Sequence, residues 1–281
     1  MQVVPPEAWR ERGDTFAWRD HSIFYRAEGS GDPLLLIHGF PTASWDFFPI
    51  WPALVARHRV LALDMLGFGF SAKPRPHRYS IFEQADLFED FLAREQVTRV
   101  TVLAHDYGVT VAQELLARQP GAAARIDRVY LLNGGLFPET HRALAMQKLL
   151  ASPVGPLLAR VSSYRTFASS MRRIWGTVRP PDDTELRAMW QLVSHAEGAA
   201  VLPLLLRYME ERRRNRSRWV GALTSATIPI RLINGLVDPI SGAHMVARYR
   251  ELVPNPDVVE LPGVGHYPQV EAPDRVLAAL A

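Results

Sequence analysis

Asp106 lies in the segment Val100-Thr-Val-Leu-Ala-His-Asp-Tyr-Gly-Val109, where a β-branched apolar run ends in small-x-Asp-x-Gly and a helical pattern begins at once. A residue held on a sharp strand-to-helix elbow needs small neighbours two positions before and after it, and Ala104 and Gly108 meet that demand. A carboxylate at such a bend is a nucleophile toward carbon and forms an alkyl ester, whereas a serine attacking an acyl group forms an acyl-enzyme. The competing reading makes Asp106 the N-cap of the helix that starts at Tyr107.

An ester on Asp106 has to be cleaved by water, which requires a general base and a group that orients the base. His266, in Gly263-Val-Gly-His-Tyr-Pro268 after the last predicted strand, is the candidate base, with a structural loop histidine as the alternative. Asp238, in Asn234-Gly-Leu-Val-Asp-Pro239 after the preceding strand, is the candidate orienting acid, with an ordinary Asp-Pro turn as its alternative. In His38-Gly-Phe-Pro41, Gly39 permits close approach of the chain, and the backbone N–H groups of Phe40 and Tyr107 are the expected donors to the negative oxygen of the tetrahedral intermediate. Pro41 has no N–H to give, and His38 reads as a packed structural histidine.

These residues need a scaffold, and the rest of the chain describes one. Two alternating runs, Thr15–Arg19 and His21–Arg26, predict an antiparallel hairpin. Continuous apolar runs follow at Leu34–Ile37, Val60–Leu63, Val100–Leu103, Val129–Leu132, Ile230–Ile233 and Val258–Leu261, as expected of strands covered on both faces. Helical stretches separate most of them, notably Phe82–Arg94 and Val109–Arg118, with a final helix over Pro273–Leu280. The expected architecture is α/β, a mostly parallel central sheet flanked by helices. Between about Pro138 and Leu223 the pattern is helical, interrupted by prolines and without a convincing strand. It predicts a helical cap, residues 138–222, inserted after the sixth strand into a core of residues 1–137 and 223–281. Such an insertion lies over the crevice where α/β sheets bind ligands. Leu136, Phe137, Met171, Trp175 and Trp190 are candidates for an apolar substrate pocket, or equally for cap core.

The 281 residues suit one large domain with an insertion, and 48% hydrophobic with 22% charged residues is ordinary globular composition. Cysteine is absent, so thiolate metal sites, disulfides and a cysteine nucleophile are excluded; no metal and no cofactor is expected. The net charge is only +3, and the run Arg212-Arg-Arg-Asn-Arg-Ser-Arg218 reads as a solvated helix end or loop rather than a nucleic-acid contact. No membrane span and no secretory leader is read, which sets the expectation of a cytoplasmic protein acting on a small apolar organic molecule and water.

The order Asp106, Asp238, His266, together with His38-Gly-Phe-Pro41 and Asp64-Met-Leu-Gly-Phe-Gly-Phe-Ser-Ala-Lys-Pro74, resembles the α/β-hydrolase superfamily over nearly the whole chain. Within it the aspartate points to the epoxide hydrolase and haloalkane dehalogenase branch. Asn133-Gly-Gly-Leu-Phe-Pro-Glu-Thr-His-Arg142 and Arg218-Trp-Val-Gly-Ala-Leu223 resemble the mesoderm-specific transcript branch. Dehalogenases of the group hold halide with a tryptophan beside the nucleophile, where this chain has Tyr107, and carboxylate-gripping relatives use an arginine soon after it, where this chain has Val109 and Thr110. Epoxide hydrolases donate protons to the ring oxygen from cap tyrosines, a resemblance that selects Tyr208 and Tyr164. Both are also candidates for plain packing. The implied activity is epoxide hydrolysis to a diol, with haloalkane dehalogenation as the alternative and a non-catalytic ligand-binding or scaffold role as the reading from another class.

Overall fold

The structure, a computed structural model, describes residues 2–160 and 162–281. Eight strands form one sheet: β1 (Asp14–Trp18), β2 (His21–Glu28), β3 (Pro33–Ile37), β4 (Arg59–Leu63), β5 (Arg99–Ala104), β6 (Arg125–Leu131), β7 (Ile230–Gly235) and β8 (Asp257–Leu261). Their order is β1-β2-β4-β3-β5-β6-β7-β8. β1 and β2 are the expected hairpin, and β2 pairs antiparallel with β4; every other neighbouring pair is parallel. The apolar runs are strands because both faces are covered: Leu34, Leu35, Leu36 and Ile37 in β3, and Val102, Leu103 and Ala104 in β5, are all buried.

β5 lies between β3 and β6, so its C-terminal end opens in the middle of the sheet. The chain bends there into the helix Tyr107–Arg118, which is buried along most of its length. The helix Arg216–Thr224 packs against it: Arg218 and the Trp219 indole N–H both bond the buried Glu114 carboxylate, which Arg118 also grips. That helix thus packs beside the elbow helix over the sheet. The basic run ending at Arg218 is correspondingly not uniformly solvated. Arg213 and Arg214 are exposed partners of Glu210, whereas Arg212 is buried.

Between β6 and β7 the described residues form only helices, short 3-10 segments and turns. The longest helix there, Asp183–Ser194, starts with a capping box in which Asp182 accepts from the Glu185 amide and Glu185 bonds back to Asp182 N–H. Asp64 explains the long glycine-rich motif after β4: its carboxylate accepts from the Ser44 amide and hydroxyl and from the Phe70 amide, while Gly67 and Gly69 supply positive φ. No helix among the described residues is long and apolar enough to cross a membrane.

Candidate active site

Asp106 sits at the elbow with φ 46° and ψ −106°, a conformation that costs a non-glycine residue energy and persists only where neighbours enforce it. The bend is stitched to both flanking strands: His105 N–H donates to Ile37 O at 2.9 Å and Asp106 N–H to Asn133 O at 2.8 Å. Glycine is required around it. A Cβ on Gly108 would stand 2.5 Å from Ile37 O, one on Gly39 would stand 2.8 Å from the Asp106 Cβ, and one on Gly134 would stand 2.8 Å from Asp106 O.

The Asp106 side chain makes no capping hydrogen bond to its helix. Instead Oδ2 accepts the Phe40 N–H at 3.0 Å, and Oδ1 lies 3.7 Å from His266 Nε2. Tyr107, first residue of the helix, has no intrahelical acceptor for its own N–H. One carboxylate oxygen therefore already occupies the position expected for an oxyanion, beside the free helix terminus.

His266 Nδ1 is 2.8 Å from Asp238 Oδ2. Asp238 is buried and collects the Ile240 amide at 2.8 Å, the Ser241 hydroxyl at 2.6 Å and the Asn133 side-chain amide at 3.0 Å. Burial pushes its carboxyl up, but the imidazole and these donors prevail and hold it at about 2. Burial likewise opposes charge on His266, and the Asp238 and Asp106 carboxylates outweigh it, lifting the imidazole to about 9. Loss of either carboxylate charge lowers that value.

Three further groups were not singled out from the sequence. Asn133 holds Asp238 and also bonds both backbone groups of Gly235, so it fixes the acid loop to β6. Glu271 is buried and accepts from the Gly176, Gly265 and Tyr267 amides, which ties the His266 loop to the segment at Gly176. Asp46 is buried behind the site with Thr42 as its hydroxyl donor, and burial, against that bond, drives its carboxyl well above the usual range. None of them belongs to a spacing pattern; Asn133 alone lay inside a string already noted. His38 is structural as expected: Nδ1–H donates to Gly39 O, Nε2 accepts the Met65 amide, and burial keeps the ring neutral at about 4.

Tyr208 is fully buried, with its ring 4.9 Å from that of Tyr107 and 6.5 Å from that of Phe40. Its hydroxyl has no hydrogen-bond partner, and burial followed by the Asp106 charge raises its pKa. Tyr164 is not brought to the site. Its hydroxyl bonds Asp183 near the protein surface under the Arg187 guanidinium, because Ser163 starts a helix whose exposed first turn carries it. An apolar cavity of about 90 Å³ is lined by Phe40, Met171, Ile174, Trp190, Ile240 and His266. Met171 and Trp190 thus line it as expected. Trp175 instead stacks on Tyr267 at 5.1 Å, and Leu136 and Phe137 are fully buried in the core. A larger cleft of about 820 Å³ runs along Arg78, Phe82 and Glu211 and contains none of these groups.

A family model described as "Alpha/beta hydrolase family" matches residues 34–279. The mesoderm-specific transcript protein of Mus musculus is 41% identical, covering 99% of this chain and 89% of its own length. Haloalkane dehalogenase 2 of Mycobacterium bovis is 30% identical, covering 94% of this chain and 92% of its own. Among solved structures, the epoxide hydrolase CorEH superposes with a TM-score of 0.77 at 18% identity, over 95% of this chain and 96% of that one.

Proposed function

Since the chain belongs to the alpha/beta hydrolase family, we propose that this hydrolase opens an epoxide through a covalent ester on Asp106 and releases a diol. Asp106 attacks one epoxide carbon, the C–O bond breaks, and the departing oxygen, still attached to its other carbon, takes the Tyr208 proton. Neutral His266, oriented by Asp238, then removes a proton from water, and the resulting hydroxide adds to the ester carbonyl. The Phe40 and Tyr107 amides hold the oxyanion. Collapse expels the diol oxygen, which takes the proton from His266, and the new Asp106 acid returns a proton to the Tyr208 phenolate. The sum is epoxide plus water to diol.

The observation that carries this reading is the uncapped Asp106 carboxylate, held by Phe40 on one oxygen with the His266 imidazole facing the other. The cavity ending at His266 and Phe40 supports an apolar substrate body. Dehalogenation is the second reading, favoured by the 30% identical dehalogenase relative; it would use the same ester but leave halide against Tyr208. The test is a His266→Gln variant incubated with styrene oxide and, separately, with a bromoalkane. Accumulation of a styrene-derived mass increment on the Asp106 peptide supports epoxide opening, an increment from the bromoalkane alone assigns dehalogenation, and an unmodified peptide with both overturns the nucleophile assignment.

A further inference from the structure

Arg212 is 2% exposed, and it has no ion-pair partner among the described residues. Its Nε donates to Thr110 Oγ1 at 2.9 Å on the elbow helix, its Nη1 approaches His141 Nδ1 at 3.4 Å, and its Cζ lies 4.6 Å from the Tyr208 ring centroid. A guanidinium keeps its charge and only donates, so the lone pair of His141 Nδ1 must face it and the ring proton must reside on Nε2. Burial, then the nearby Arg212 and His266 charges, hold that ring neutral, at about 3.

The Arg212 charge then has no counter-ion and His141 Nε2 no acceptor among the described residues, and the Tyr208 hydroxyl beside the guanidinium is likewise shut away from water. Leaving a buried charge and its hydrogen bonds unanswered costs several kcal/mol, so such a cluster implies an acceptor that arrives with the ligand. The backbone also makes room for the guanidinium. A Cβ on Gly135 would stand 1.9 Å from Arg212 Nη1, and the preceding Gly134 packs against the backbone of Asp106. Asn133-Gly-Gly and His141 of the same segment thereby serve the acid, the elbow, the guanidinium and the imidazole in turn.

We propose that Arg212 and His141 form an anion pocket beside Asp106 that receives a carboxylate of the substrate, leaving the Tyr208 proton for the ring oxygen. One fixed positive charge matches a singly charged carboxylate, and a planar group suits the fork of N–H donors that remains. The apolar cavity at Phe40 and His266 takes the rest of the molecule. The arginine comes from the cap helix Tyr208–Arg214 instead of from the elbow helix, where Thr110 bonds it in place. The placement beside Asp106 rests on the reading of that residue as the nucleophile; the anion site itself does not.

The test uses butyrate and butanamide, which have similar shapes and differ in charge, titrated calorimetrically into the wild-type protein. Butyrate is expected to bind at least tenfold tighter, and Arg212→Gln to abolish the difference while Arg212→Lys retains part of it. Equal binding of the two probes by the wild type overturns the proposal and leaves Arg212 as a clamp between cap and elbow helix, a result that requires no variant to fold. An unchanged preference in a folded Arg212→Gln overturns it as well. If butyrate binds in the expected way while no epoxide alkylates Asp106, the anion pocket stands and the epoxide reading falls; epoxide turnover with no carboxylate preference gives the reverse.

Discussion

His266 Nε2 stands 3.7 Å from Asp106 Oδ1, too far for a hydrogen bond, while its other nitrogen is bonded to Asp238 at 2.8 Å. The ring is thus fixed from behind and leaves the Asp106 carboxylate free of it. In the proposed mechanism, esterification of Asp106 removes one of the two carboxylate charges that raise the imidazole pKa, which lowers the basicity of the ring and makes a neutral base available. Hydrolysis of the ester is expected to slow as pH falls through an apparent value below about 9. Single-turnover measurements against pH check this; a rate that instead rises toward acid contradicts a histidine base.

The same pair controls stability. The His266 value is raised from 6.5 to about 9, so its contribution is fully present below 6.5 and is lost as pH rises through about 9. Asp238 is depressed from 3.8 to about 2, so its contribution is present above 3.8 and is lost as pH falls toward 2. The stability advantage of the wild type over His266→Gln is expected to shrink by a few kcal/mol across the alkaline window. Denaturant unfolding at a series of pH values measures it.

Tyr208→Phe is expected to reduce epoxide opening by roughly a hundredfold or more, because the ring oxygen loses its proton donor. Stability should hold or rise by about 1 kcal/mol, since the substitution removes a buried hydroxyl that has no partner. Stopped-flow alkylation and thermal unfolding separate the two effects. Tyr164→Phe, by contrast, should leave the alkylation rate unchanged, because that hydroxyl is engaged with Asp183.

Glu271→Ala strips the acceptor from the Gly176, Gly265 and Tyr267 amides at once. A loss of about 3 kcal/mol or more is expected from three orphaned donors, together with a lower kcat as the His266 loop slackens. Chemical denaturation and steady-state kinetics on the same preparation test both; an unchanged midpoint would mean that the clamp is idle.

Asp46 behaves oppositely to an exposed carboxyl. Its folded pKa is raised above 3.8, so the folded state holds the proton more tightly and loses stability as pH climbs above 3.8. Asp46→Asn removes that penalty. Its melting temperature relative to wild type should therefore increase with pH, which calorimetry at acid and alkaline pH can follow.

Much of this arrangement was legible in the chain. The apolar runs form β3 to β8 because strands covered on both faces need continuous hydrophobicity, and the last helix spans Pro273–Leu280 as its pattern predicts. The short helix Pro6–Glu11 is not legible in the sequence, since it has little periodicity of its own and is held by Trp9 packing edge-on against Trp51 with Arg26 over both rings. The candidate residues Asp106, Asp238, His266 and Phe40 stand together because each follows a strand whose end the sheet brings to one crevice.

The sequence by itself determined the sheet, the elbow and the placing of Asp106, Asp238 and His266 after successive strands, because strand hydrophobicity and small residues at a bend are local demands written in local composition. Only the tertiary structure decided that Tyr208 faces inward while Tyr164 faces Asp183, that Asn133 and Glu271 clamp the loops, and that Arg212, from an apparently solvated basic run, is buried against His141. The physical reason is that a side chain's direction on a helix between β6 and β7 depends on how that helix seats against residues far away in the chain, and no spacing pattern records it.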